Sequence, residues 1–121
     1  MTLLLVDDDH LQLRLMSRIL NDAGFDVETY DSIADVEEQV LRAPSSFDLV
    51  ISDYEMPKGD GLELAQRLSG VVGAPPMLLC TGCLRLPYFD EPIVRGVLRK
   101  PYVRDELLAR IGEIIGSTSI L

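Results

Sequence analysis

A chain of 121 residues is one domain's worth, enough for a single modest core. Its composition, 47% hydrophobic and 26% charged with 6% aromatic, is that of a compact folded domain and excludes a disordered or fibrous chain. Twenty acids against eleven bases leave a formal charge of −9 and a pI near 4.4; that balance repels phosphate backbones and anionic bilayers, so neither direct nucleic-acid binding nor membrane association is expected.

The opening run LLLV, residues 3–6, is too short for a signal segment or a membrane span, and a cytoplasmic location is expected. It reads as a strand buried on both faces and runs straight into Asp7, Asp8 and Asp9. Leu11, Leu15, Met16 and Ile19 stand at helical spacing and predict a first helix over 11–20. Gly24 follows where a left-handed terminal residue is wanted, and FDVETY, 25–30, alternates as a second strand. Ile33, Val36, Val40 and Leu41 give a second helix closed by Pro44. FDLVIS, 47–52, is a third strand; Leu62, Leu64, Ala65 and Leu68 mark a third helix, with Gly61 relieving the tight turn before it. MLLC, 77–80, is a fourth strand, and Pro87 and Pro92 make any helix between Leu84 and Val94 short or irregular. GVLR, 96–99, is a brief fifth strand, Leu107, Leu108, Ile111, Ile114 and Ile115 predict a strong final amphipathic helix, and 116–121 reads as a C-terminal tail of one domain spanning 1–121.

Strands alternating with helices imply an α/β fold, a flavodoxin-like (βα)5 three-layer sandwich with helices on both faces of a parallel five-stranded sheet. The common order for such a sheet is 2-1-3-4-5, which sets strands 1, 3 and 4 side by side with their carboxyl ends in one crevice. Asp7 and Asp8 then follow strand 1, Asp53 strand 3, Thr81 strand 4 and Lys100 strand 5. Like charges about 4 Å apart repel by roughly 4 kcal/mol at an effective dielectric of about 20, so the three carboxylates call for a cation. Magnesium suits an all-oxygen site of this kind, and Lys100 adds a second positive charge. A carboxylate between the two can attack phosphorus in line, giving an aspartyl phosphate, and Thr81 can donate its hydroxyl to a phosphoryl oxygen or simply cap the following turn.

Other groups read as structural. Asp9 reads as a helix N-cap, and His10, the only histidine, as an exposed residue of the first helical turn. Cys80 and Cys83 have the C-x-x-C spacing of a redox pair, but Cys80 ends the apolar run PMLLC and reads as a buried small hydrophobe; zinc would lack its remaining ligands. Arg95, Arg99 and Arg104 read as a solvated basic face around Lys100.

VDDD at 6–9, SDYEMPKGDG at 52–61, CTG at 80–82 and RKPY at 99–102 together resemble a response-regulator receiver domain over nearly the whole chain. The resemblance implies a two-component signalling domain in which Asp53 is the phosphoacceptor, Asp7, Asp8 and Asp53 hold Mg²⁺ together with the backbone carbonyl of Glu55, and Thr81 and Lys100 assist. It implies a cis peptide before Pro101, and, as partner, a sensor histidine kinase or a histidine phosphotransfer protein that supplies the phosphoryl group. Beyond its own phosphotransfer and dephosphorylation the chain is not expected to be an enzyme. The LLCTG and VLRKPY phrases are similar to receivers at the carboxyl end of hybrid sensor kinases.

The chain departs from that pattern at Val97, where such domains commonly carry Tyr, Phe or His, and in the short segment between Thr81 and Lys100, which unsettles the usual output face. With no output domain after residue 115, the chain is expected to receive a signal without acting on a promoter itself. Glu55 and Cys83 flank the acceptor and are expected to tune hydrolysis of the aspartyl phosphate. Two other readings stay open: an interaction module that keeps the fold without phosphorylation, and a haloacid-dehalogenase-type phosphatase, which VDDDHL matches only in part. The oligomeric state is left open.

Overall fold

The computed structural model describes residues 1–56, 59–82 and 90–119, with side chains as far as 116. Five strands form one parallel sheet in the order β2-β1-β3-β4-β5: β1 (Thr2–Val6), β2 (Asp26–Tyr30), β3 (Leu49–Asp53), β4 (Met77–Thr81) and β5 (Val94–Arg99). The helices are α1 (His10–Asp22), α2 (Ile33–Arg42), α3 (Gly61–Leu68) and α4 (Arg104–Ser119), with a 3₁₀ turn at Pro44–Ser46. The expected α/β class and strand order are observed. The short or irregular helix expected between Leu84 and Val94 lies largely outside the described residues.

Alternation along the central strands divides the core into two layers. Leu3, Leu5, Leu49, Ile51, Leu78, Cys80 and Leu98 pack with α1 and α4, which contribute Leu13, Leu20, Leu107, Ile111 and Ile114. Leu4, Val6, Val50, Met77 and Leu79 face the other way, against Ile33, Val36 and Val40 of α2 and Leu64, Ala65 and Leu68 of α3. Strands β3 and β4 are buried throughout, whereas β2 and β5, at the two edges, are not.

Each of the first three helices starts on a side-chain cap that satisfies amide groups left over at its first turn. Asp9 accepts from the amides of Leu11 and Gln12, as expected for it; Ser32 accepts from Asp35 and Asp60 from Glu63. These caps end the loops that leave β1, β2 and β3, so they also set where those loops sit relative to the sheet's carboxyl end.

Four expectations are corrected. Leu11 and Leu15 were expected on the inner face of α1, but they are 58% and 51% exposed, and Leu13 and Leu20 are buried instead, with Met16 and Ile19 packed beside them. Apolar residues lie on more than one side of this helix, so spacing alone does not choose a face. Leu41 of α2 is exposed for the same reason: Ile33, Val36 and Val40 already complete that helix's inner stripe. Residues 116–119 continue α4 rather than forming a tail.

Gly61 has a different role from the turn relief expected of it. The left-handed residue of that turn is Gly59, at φ +134°. Gly61 opens α3 directly against the end of β3, where an added Cβ would lie 2.6 Å from Leu79 Cδ2, 3.0 Å from the Asp53 carbonyl oxygen and 3.1 Å from Ser52 Oγ. It is needed for close approach.

Candidate functional site

The backbone carries sheet pairing past the strand ends, and the site is built on those last rungs. The amide of Asp7 donates to Tyr30 O, that of Tyr54 to Cys80 O at 2.9 Å, and that of Lys100 to Thr81 O at 2.7 Å. Asp53 itself stands opposite Cys80 in the β3·β4 register. The side chains that follow β1, β3 and β5 therefore converge on a frame held by main-chain hydrogen bonds.

Carboxylate oxygens of Asp7, Asp8 and Asp53 all lie within 4.8 Å of one another. Asp53 is buried, Asp7 half-buried and Asp8 exposed, so the cluster grades from the sheet end out to solvent. Lys100 Nζ donates to Asp53 Oδ1 at 2.8 Å, and the lysine is bonded to Pro101 through a cis peptide. Asp7 Oδ1 accepts from the amide of Asp9 at 3.0 Å, tying the acidic pair to the cap of α1.

The electrostatics follow from burial and crowding. Burial pushes the Asp7 carboxyl up to about 6, against the hydrogen bond from the Asp9 amide, and the charge of Asp53 adds to the rise. Burial raises Asp53 as well, held back by the hydrogen bond and charge of Lys100. For Lys100, burial acts to lower the pKa, but the hydrogen bond it donates to Asp53 and the charges of Asp53 and Asp7 outweigh it and the net shift is upward. One lysine against three acids leaves a negative site. Among the described residues its donors are all hard carboxylate oxygens, and this set fits a small divalent cation such as magnesium.

The sequence-derived set of Asp7, Asp8, Asp53 and Lys100 is thus brought together. Thr81, fully buried, joins it at the end of β4, but its hydroxyl is turned to an unexpected partner: Thr81 Oγ1 donates to Glu55 Oε1 at 3.0 Å. The Gly82 amide donates to the same oxygen at 3.2 Å. The resemblance implied the backbone carbonyl of Glu55 as a metal ligand, and Glu55 was expected to tune hydrolysis at the site; the structure shows its side chain tying the loop after β3 to the end of β4. The only signal for it in the sequence is an acid two residues beyond Asp53. Cys83, the other residue expected to tune the site, lies outside the described residues.

The groups read as structural behave so. His10 is exposed and pairs with Asp31 Oδ2 at 3.1 Å. Cys80 is buried, and burial pushes its thiol up to about 12, which removes the thiolate that redox chemistry would need. Arg95, Arg99 and Arg104 are exposed. Val97 is half-buried against the α2/α3 layer. Tyr102 instead packs against the α1/α4 layer and, with Asp7, Asp53, Cys80 and Lys100, lines a small hollow under the acids.

The model of the response regulator receiver domain family matches residues 3–112. The chain belongs to that family. This receiver is 30% identical over 116 residues to the response regulator receiver protein CpdR of Brucella abortus (strain 2308), covering 93% of this chain and 95% of that one. It is 33% identical over 114 residues to the transcriptional regulatory protein FixJ of Bradyrhizobium diazoefficiens, covering 91% of this chain but 54% of FixJ. Among solved structures, a sensor protein from Polaromonas sp. JS666 superposes with a TM-score of 0.86 at 25% identity, covering 98% of both chains. The receiver is accordingly a domain of two-component signalling, from a family that binds a metal ion in an acidic pocket and interacts with histidine kinases. Among the described residues, no helix is long and apolar enough to cross a membrane.

Proposed function

We propose that this receiver takes a phosphoryl group onto Asp53 from a phosphohistidine on a sensor kinase or phosphotransfer protein. The observation that carries the reading is the setting of Asp53: one buried carboxylate bonded to Lys100 at 2.8 Å and crowded by Asp7 and Asp8. A carboxylate oxygen of Asp53 attacks phosphorus, an O–P bond forms, the N–P bond of the donor breaks, and the imidazole leaves with the electron pair and takes a proton. Asp7, Asp8 and Asp53 would hold magnesium, with the Glu55 carbonyl as a further ligand, and the ion would supply positive charge to the phosphoryl oxygens.

The chain's own residues do the rest. Lys100 neutralises part of the charge on Asp53 and, from the same position, on the transferred group. Thr81 and the Gly82 amide offer hydrogen-bond donors at the end of β4. An open hollow lined by Asp8, Tyr54, Glu55, Met56 and Asp60 gives a donor histidine access from solvent. Phosphorylation then shifts the balance between two arrangements by the difference in its interaction with each. Val97 gives that shift no ring to turn inward.

The test is intact mass after incubation with acetyl phosphate and Mg²⁺. A gain of one phosphoryl group that disappears in Asp53→Ala and in EDTA supports the reading. No gain from acetyl phosphate or from a phosphorylated histidine donor would favour a module that keeps the fold without phosphorylation.

A further inference from the structure

The two donors at the end of β4 are already engaged. Thr81 Oγ1 and the Gly82 amide both point at one oxygen, Glu55 Oε1, at 3.0 and 3.2 Å. Glu55 is an exposed residue on a long side chain, and holding such a chain in one rotamer costs entropy that solvent would otherwise leave unspent. Its position is nevertheless well determined from the backbone, because the Tyr54 amide is bonded to Cys80 O at 2.9 Å and thereby sets the loop after β3 alongside the end of β4. Hydrogen bonds to an ionised acceptor are the stronger kind, and here a hydroxyl and a main-chain amide converge on a single carboxylate oxygen.

That convergence is the donor geometry an oxyanion requires. On the phosphoacceptor reading above, on which this inference rests, a phosphoryl group on Asp53 would draw on the same hydroxyl and the same amide. Each of these groups has one proton to give, so an acceptor on Glu55 and an acceptor on Asp53 cannot both be fully satisfied. Phosphorylation also brings roughly two negative charges close to a carboxylate that already carries one. We propose that the Glu55 carboxylate is an internal occupant of the phosphoryl-binding donors, holding Thr81 and Gly82 in the unphosphorylated protein and displaced when Asp53 is phosphorylated. Glu55 acts through Thr81 and Gly82, as a positioning residue. Because coupling between binding events is reciprocal, the tighter its hold, the weaker the grip of those donors on the phosphoryl group.

The experiment uses the ¹⁵N-labelled 121-residue chain, Glu55→Ala, Glu55→Gln and, as probe, beryllium fluoride with Mg²⁺, which mimics a phosphoryl group on a carboxylate. Without the probe, the Gly82 amide exchanges slowly in the wild type and at least about tenfold faster in Glu55→Ala, as expected when a hydrogen bond to a charged acceptor is lost. With the probe, Glu55→Ala binds about tenfold more tightly than the wild type, since the competing acceptor is gone. Glu55→Gln keeps an acceptor oxygen without the charge and falls between the two on both readouts. A Gly82 amide indifferent to Glu55→Ala overturns the proposal, as does a probe affinity that is unchanged or weaker in that variant. If neither the wild type nor Glu55→Ala takes up the probe, it is the phosphoacceptor reading that falls, and the latch falls with it. If both take it up equally, the latch alone falls.

Discussion

Replacing Gly61 by alanine tests the packing that positions Asp53. The new Cβ would meet Leu79 Cδ2 at 2.6 Å, the Asp53 carbonyl oxygen at 3.0 Å and Ser52 Oγ at 3.1 Å. Leu79 is fully buried, and Ser52 Oγ is already committed to the Asp53 carbonyl at 2.9 Å, so neither has an easy retreat. Overpacking of this kind costs about 1–3 kcal/mol. Alanine gains up to about 1 kcal/mol through the reduced entropy of the unfolded chain and its better helix propensity. The net expectation is destabilisation by about 1–2 kcal/mol. With a urea m-value of about 1.5 kcal/mol/M for a chain of this size, the midpoint falls by about 1 M. Gly70 is the control: nothing lies within 4 Å of its added Cβ, and Gly70→Ala is expected to be neutral or slightly stabilising. A Gly61→Ala midpoint equal to or above that of the wild type would refute the close-approach explanation.

In EDTA, stability should fall as pH rises from about 4 to about 6. The Asp7 carboxyl is raised from 3.8 to about 6 in the fold, so between those values the native state holds more protons than the unfolded chain; stability is greatest below the unfolded pKa and is lost as pH rises through the folded one. Asp53 is shifted the same way, and Asp7→Asn should flatten the slope seen in thermal melts. Lys100→Ala should destabilise the metal-free protein at pH 8 by about 2 kcal/mol, because Asp53 loses its 2.8 Å partner beside two other acids, and adding Asp53→Asn should restore most of it in urea titrations. Cys80, with its thiol pushed up to about 12, should resist iodoacetamide at pH 8 until urea unfolds the chain, as peptide mapping would report; rapid labelling in the native state would contradict its burial.

The parallel sheet was legible because apolar runs alternate with helical patterns, and the strand order followed from the common order of such sheets and from the family resemblance. A parallel sheet of this order gathers Asp7, Asp8, Asp53 and Lys100 at the ends of β1, β3 and β5 whatever the details of packing. The inner face of α1 was not legible. Its leucines occupy several sides of the helix, and only the rotation set by the Asp9 cap and the sheet buries Leu13 and Leu20 instead of Leu11 and Leu15. The Glu55 contact was hidden for another reason: it joins residues 26 positions apart through two loops whose approach depends on the Tyr54–Cys80 main-chain bond. Gly61 looked like a turn residue because a glycine next to an aspartate usually is one, and the clash that requires it exists only once β3 and α3 are packed.

The sheet is also a partition. Among the described residues, the apolar bodies on its two sides share no side chain, only the backbones of the strands that separate them. Substitutions far apart in the two layers should therefore combine additively, since neither has to repack around the other. A lineage of such domains can rework α2 and α3 to suit a new neighbour while α1 and α4 keep their fit, or the reverse. Asp53 and Thr81 stand on the partition itself, at the ends of β3 and β4. They are the residues that neither kind of drift has to move, which lets one chemistry persist under two independently variable surfaces.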